Sequence, residues 1–179
     1  MTRRLVVNLF YALDGVVESP DKWSGFDEDM GEEVNAVINR QDDVLLGRVT
    51  YEEWAPYWPT SKDEPFASFI NNVRKHVAST SLKAVEWKNA RLLGRDVPGE
   101  VRKLKDGPGR DIGTHGSIRL VQSLLGADLV DELVLYVMPA AAGRGRRLFE
   151  DGVKRGFALQ RSRVTRSGIA ILIYAPAKT

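Results

Sequence analysis

The sequence predicts an α/β fold: a mixed, mostly parallel central sheet with helices on both faces and an antiparallel hairpin at its C-terminal end. Three observations carry this. Apolar runs of strand length alternate with helical patterns through the first two thirds of the chain, which implies parallel strands joined by crossover helices. Residues 5–13 are a nearly continuous run of Leu, Val, Phe and Tyr, which suits a strand buried on both faces at the centre of the sheet. The last third carries strand patterns at 132–138, 157–165 and 169–175 with no helix between them, and Ser167-Gly168 reads as a tight turn.

Taken in order, the first strand breaks at Asp14-Gly15, and residues 19–27 form a loop rich in Pro, Gly and Asp that carries Trp23 and Phe26. Met30, Val34, Val37 and Ile38 follow helical spacing, so 28–39 reads as an amphipathic helix leading to a strand at 44–46. A helix follows Gly47, and the two prolines of 54–59 are expected to keep that stretch irregular. A helix at 66–72, a strand at 75–79, a short strand at Leu92-Leu93, a helix at 97–104 and a turn at 107–109 come next. Residues 111–113 end another strand, and 117–125 form a helix.

A chain of 179 residues with 43% hydrophobic residues has the size of one domain, and residues 1–179 show no linker, repeat or low-complexity segment. A formal charge of +2 gives no footprint for nucleic acid. Eight basic residues do cluster between 144 and 166, as a solvated face or a site for phosphate groups. With no cysteine, disulfides, thiolate catalysis and zinc–thiolate sites are excluded, and two histidines make a histidine-based metal site unexpected. Neither a signal peptide nor a membrane-spanning run is recognisable, so a cytoplasmic protein is expected.

The stretch Val44-Leu45-Leu46-Gly47-Arg48-Val49-Thr50-Tyr51-Glu52 is the most informative in the chain. An apolar strand delivers the chain to the sheet edge, Gly47 permits close backbone approach, and the unpaired N–H groups of the next helical turn attract an anion. Arg48 adds a planar fork of donors suited to a phosphate monoester. The alternative is an ordinary strand-to-helix junction with a surface arginine. A second strand end with a glycine-containing helix start lies at Gly113-Thr114-His115-Gly116-Ser117, and ligands of parallel sheets bind beyond such carboxyl ends. The two together favour a nucleotide with several phosphates.

Leu46-Gly47-Arg48-x-Thr50-Tyr51-Glu52 resembles the cofactor-binding segment of dihydrofolate reductases. The order of motifs around it resembles the RibD C-terminal family, the reductase domain of riboflavin biosynthesis and its stand-alone relatives. Those motifs are Ala12-Leu13-Asp14-Gly15, residues 77–82, residues 112–120, residues 129–133, and Pro139 with Gly143-x-Gly145-x-x-Leu148-Phe149. The resemblance implies a dihydrofolate reductase-like fold and a reductase that uses NADPH. Gly113, His115, Gly116, Ser117 and Ile118 would contact the pyrophosphate and nicotinamide side, and Gly47, Arg48, Thr50, Ser79, Thr80 and Ser81 the rest of the cofactor. Arg48 would reach the 2′-phosphate that distinguishes NADPH from NADH. Ser79-Thr80-Ser81 otherwise reads as a hydroxyl-rich turn, and His115 as a residue that stabilises its own loop.

The acids near the inferred pocket are Asp14, Asp27, Asp29 and Glu32; Asp14 either faces substrate or caps its Asp-Gly turn, and Asp27 or Asp29 is either catalytic or a cap of the first helix. Trp23, Phe26 and Trp54 are candidate stacking walls, with Tyr57 and Trp58 near the last of them. The chain departs from riboflavin-pathway reductases at Ala12, where those place Ser, at Trp54, where they place Asp, and at Gly31-Glu32-Glu33, where they carry an arginine-bearing segment for the ribose phosphate. An acidic helix repels a phosphate. The expected function is therefore NADPH-dependent reduction of a small pterin- or pyrimidine-like heterocycle. The alternatives are the 5-amino-6-(5-phosphoribosylamino)uracil reductase of riboflavin biosynthesis and a non-catalytic nucleotide-binding protein. A homodimer is also expected, because residues 133–138 are apolar on both faces and related domains pair.

Overall fold

The computed structural model describes residues 2–149 and 152–177. Its core is an eight-stranded sheet with the order β4-β3-β2-β5-β1-β6-β8-β7. The strands are β1 (Leu5–Tyr11), β2 (Gln41–Gly47), β3 (Arg74–Ala78), β4 (Ala90–Leu92), β5 (Asp111–His115), β6 (Glu132–Val137), β7 (Phe157–Val164) and β8 (Ala170–Pro176). β1 to β6 are mutually parallel, whereas β8 runs antiparallel to both β6 and β7. The carboxyl ends of β3, β2, β5, β1 and β6 consequently share one edge of the sheet.

The helices are α1 (Glu28–Ile38), α2 (Arg48–Tyr57), α3 (Phe66–Asn72), α4 (Val97–Asp106) and α5 (Ile118–Gly126). Met30 and Val37 of α1 pack with Val6, Val134 and Tyr136 on one face of the sheet. Tyr51 of α2 and Ile70 of α3 join Val44, Leu46 and Val77 in a second cluster. Val101 of α4 and Leu120, Val121 and Leu124 of α5 cover Leu5, Val7, Leu9, Leu45 and Ile112 from the other side. Both sides of β1 are thus buried, as its near-continuous apolar sequence requires.

Two sequence expectations are corrected. Residues 54–57 are helical: α2 continues through Pro56 to Tyr57, and Trp58 donates its N–H to the Trp54 carbonyl. A proline in the last turn of a helix removes one hydrogen bond and leaves the preceding turns intact, so only Pro59 ends the element. The apolar faces of β6 do not call for a partner either, since Leu133, Val134, Leu135 and Tyr136 are all buried within the chain.

The opposite edge of the sheet is tied by charge. Asp43 on β2 accepts from Arg74 Nε at 2.8 Å, from Arg3 Nη2 at 2.6 Å and from His76 Nε2 at 2.6 Å. Burial alone would raise its carboxyl, but these bonds more than offset that and hold it well below the ordinary carboxylate range. At the edge that carries the glycine motifs, the ion pairs among the described residues are local ones, such as Arg48 with Glu52 and Arg146 with Glu18.

Candidate functional site

Strand order places the sequence motifs in a line. From β3 through β2 and β5 to β1, the edge presents Ser79 to Ser81, then Gly47 to Thr50, then His115 to Ser117, then Asp14-Gly15; Gly113, expected among the cofactor contacts, is instead buried in the middle of β5 beneath Gln41. With neighbouring strands about 4.8 Å apart, the line spans about 14 Å.

Its middle is built from both glycine loops. The Gly47 N–H donates to Ser117 Oγ at 2.7 Å, and Ser117 Oγ donates to Thr50 Oγ1 at 2.8 Å. A Cβ at position 47 would stand 3.2 Å from the Ser117 side chain, a contact so tight that the serine would have to shift by a few tenths of an ångström. Gly47 caps α2 with no side-chain bond to the first turn, which leaves the N–H groups of that turn available to an anion. Arg48 stands half-exposed beside them and pairs with Glu52 at 2.6 Å. On β3, Ser79 Oγ accepts from the N–H groups of Leu82 at 2.9 Å and Ser81 at 3.2 Å, shaping a compact turn with Thr80 and Ser81 exposed. The N–H groups of the first turn of α2, the Arg48 guanidinium and the exposed hydroxyls of Thr80 and Ser81 are donors of the kind a phosphate accepts from.

His115 closes β5, and its Nε2 lies 2.8 Å from Gln41 Oε1. Gln41 lies directly over Gly113, where a Cβ would be only 2.1 Å from the amide oxygen. The imidazole meets Phe66 and Phe69 of α3 with centroid separations of 5.3 and 6.0 Å. Burial pushes its pKa down to about 4, so the ring is neutral near pH 7. His115 therefore anchors the second glycine loop and carries no charge toward a phosphate. Ile118 begins α5 behind it.

At the end of β1 the line opens into a cavity of about 380 Å³ lined by Tyr11, Leu13, Asp14, Gly15, Arg147 and Phe149. The loop after β6 returns to form its far wall: Val17 N–H donates to the Arg146 carbonyl, and Leu148 N–H to the Gly15 carbonyl. This lays the Arg147 stem over Gly15, whose φ of +84° favours glycine and where a Cβ would stand a tight 3.3 Å from the Tyr11 hydroxyl. Tyr11 and Arg147 are not apparent as site residues from the sequence, where the first is a strand residue and the second one arginine in a basic run. The signal for Arg147 was the glycine motif that precedes Leu148-Phe149.

Neither acid is placed as a free proton donor. Asp14 accepts from the Gly143 N–H at 2.7 Å and the Ala142 N–H at 3.2 Å, and the first of these bonds leads in holding its carboxyl below the usual range. It lines the cavity, but ionised. Asp27 is the N-cap of α1, accepting from Met30 N–H at 2.7 Å, and it also accepts from the Ser167 hydroxyl. Bonds from Ser167 and Thr165 bring its pKa to about 2, so the capping role prevails.

The three candidate aromatic walls do not converge. Trp23 packs beside the α1 cluster and donates Nε1–H to the Glu18 carbonyl at 2.9 Å. Phe26 lies against Gly31 with 66% of its surface exposed. Trp54 stands edge-on to Trp58 and Phe66 and belongs to the α2–α3 core. The ring that does reach the β1 cavity is Phe149. The acidic helix is likewise not a free negative patch: Arg161 of β7 pairs with Glu33, and Arg163 reaches Glu32 at 3.2 Å and Asp29 at 3.0 Å. The repulsion expected from Gly31-Glu32-Glu33 is offset by the last strands of the sheet.

Against known proteins, the model of the RibD C-terminal domain family matches residues 3–172, nearly the whole chain. The chain belongs to the RibD C-terminal domain family. An uncharacterized protein of Bacillus subtilis (strain 168), YyaP, is 29% identical over 96% of this chain and 94% of its own. A Shewanella sp. PV-4 protein named for riboflavin biosynthesis superposes with a TM-score of 0.75 at 20% identity, covering 99% of this chain and all of that one. The diaminohydroxyphosphoribosylaminopyrimidine deaminase/5-amino-6-(5-phosphoribosylamino)uracil reductase of Thermotoga maritima gives 0.69 at 14% identity, covering 98% of this chain and 57% of the larger one. This RibD C-terminal domain thus has the α/β fold of RibD-like reductases, with the mostly parallel sheet and antiparallel C-terminal hairpin described above. Among its described residues no helix is long and apolar enough to cross a membrane, and no cluster of acids and histidines has the form of a metal site.

Proposed function

We propose that this RibD C-terminal domain is an NADPH-dependent reductase of a small, flat pterin- or pyrimidine-like heterocycle. The observation that carries the reading is the line of motifs along one sheet edge, from the hydroxyl turn on β3 to the cavity at the end of β1. Arg48 and the first turn of α2 hold the 2′-phosphate end beside Ser79, Thr80 and Ser81. Gly47, Thr50, Gly116 and Ser117 hold the pyrophosphate. A bound NADPH supplies hydride at the β1 end of the line. There Leu13 and Phe149 flank a flat substrate and keep water from its faces, while Asp14 and Arg147 offer a fixed acceptor and donor for its polar edge.

A second reading, the 5-amino-6-(5-phosphoribosylamino)uracil reductase, is favoured by Arg147 in the cavity and by the pairing of Glu32 and Glu33 with arginines. Turnover of NADPH with pterins, pyrimidines and the phosphoribosylaminopyrimidine, each with and without phosphate, tests both. Reduction independent of phosphate supports the first reading and phosphate-dependent reduction the second. NADPH binding with no turnover of any compound would leave a nucleotide-binding protein.

A further inference from the structure

We propose that the Tyr11 hydroxyl is the proton donor of the reduction, with Arg147 positioned to stabilise the phenolate; this rests on the reductase reading above. Reduction of a heterocyclic C=N bond requires a proton as well as a hydride, and the two carboxylates at this edge are poor donors. Asp14 and Asp27 are both held ionised by the N–H and O–H groups that they accept from. Among the described residues, the remaining titratable side chains that line the β1 cavity are Tyr11 and Arg147.

Tyr11 is the last residue of β1, and its partly buried ring packs against the core cluster to which β1 and α5 contribute, so the strand fixes where the hydroxyl emerges. That hydroxyl stands beside Gly15 at the cavity and makes no hydrogen bond within the described residues. Arg147, whose stem crosses the same glycine, makes no ion pair among the described residues, whereas the adjacent Arg146 is held by Glu18 at 2.6 Å. One donor of a proton and one fixed positive charge therefore face the same space without internal partners. Burial raises the Tyr11 pKa, with Asp14 adding to the effect and Arg147 opposing it, so the group is a protonated phenol at neutral pH.

The step balances without a further reactant. Bound NADPH would be the reductant, a dihydronicotinamide C–H bond breaking as that ring is oxidised; the substrate carbon of the C=N bond takes the hydride and the π electron pair moves to nitrogen. Nitrogen takes the phenolic proton as the Tyr11 O–H bond breaks and the N–H bond forms. The phenolate, beside the Arg147 guanidinium, regains a proton from water.

The test compares wild type, Tyr11→Phe and Arg147→Gln in three measurements. Calorimetry of NADPH should give the same affinity for all three proteins. Titration of lumazine, a flat pteridine, into cofactor-free protein should show about tenfold weaker binding to Tyr11→Phe, from loss of one hydrogen bond. With a turned-over member of the heterocycle panel, kcat should fall about a hundredfold in Tyr11→Phe and about tenfold in Arg147→Gln, with KM changed far less. An unchanged kcat in Tyr11→Phe overturns the assignment even where lumazine binding weakens, because the hydroxyl would then only orient the ring. If Tyr11→Phe does not fold, an unchanged kcat in Arg147→Gln overturns it instead. Wild-type protein that fails to bind NADPH, or binds it and reduces nothing, overturns the reductase reading and the proton donor with it.

Discussion

The main-chain N–H of Gly47 donates to Ser117 Oγ at 2.7 Å, joining the ends of two adjacent strands that lie 70 residues apart in the chain. The bond ties together the two loops assigned to the pyrophosphate, and Ser117 Oγ in turn donates to Thr50 Oγ1. Replacing Ser117 by Ala removes both bonds. NADPH affinity is expected to fall about fivefold, the worth of one neutral hydrogen bond, with little change in melting temperature. Calorimetry and thermal melting check this, and an unaltered affinity would remove Ser117 from the site.

A second expectation concerns acid stability through His115. Its folded pKa of about 4 lies below the ordinary 6.5, so between these values the unfolded chain binds a proton that the folded chain refuses. Stability should therefore fall as pH drops from about 6.5 to about 4. His115→Gln, which keeps a donor for Gln41, should flatten that limb. Urea midpoints across this pH range measure it, and an identical slope in the variant would contradict the burial argument.

The charge cluster at the far edge of the sheet gives a third. Asp43→Asn leaves the buried Arg3 and the His76 ring without their shared carboxylate, a loss of about 3 to 5 kcal/mol for a broken buried pair. The wild-type contribution is fully present above the unfolded carboxylate pKa of about 3.9 and is lost as pH falls below it, because the folded pKa is depressed. Denaturant unfolding of the two proteins at neutral pH and well below the unfolded carboxylate pKa, at about pH 2, should show the difference shrink on the acid side.

A homodimer remains expected, on a different surface from the strand that first indicated one. Leu159 and Val164 of the edge strand β7 are 54% and 69% exposed, and they share a sheet face with Leu172 and Tyr174. An edge strand with an apolar face is a template for pairing. Sedimentation equilibrium at micromolar concentration should give twice the chain mass, and Leu159→Lys should shift it toward the monomer.

The fold was legible because hydrophobic periodicity separates strand from helix at nearly every element, and because Gly47 and Gly116 stand where strands end. The second half of the site was not. Tyr11 reads as one more apolar residue of a buried strand, and its hydroxyl becomes available only because Gly15 turns the chain beside it. Arg147 sits among several arginines, and its place over Gly15 depends on main-chain bonds between residues distant in sequence. Trp54 misleads for the opposite reason: the prolines that follow it mask a helix that buries the ring. The pairing of Glu32 and Glu33 with Arg163 and Arg161 is tertiary, and composition along one helix shows only the acids.

The central claim is that NADPH lies along the strand-end line with its 2′-phosphate at Arg48, and calorimetric titration of NADPH and NADH into wild type and Arg48→Ala tests it most directly. The account predicts tighter binding of NADPH by the wild type and loss of most of that preference in the variant, about 1.5 to 3 kcal/mol or more than tenfold in affinity. Equal affinity of the wild type for the two cofactors would contradict it.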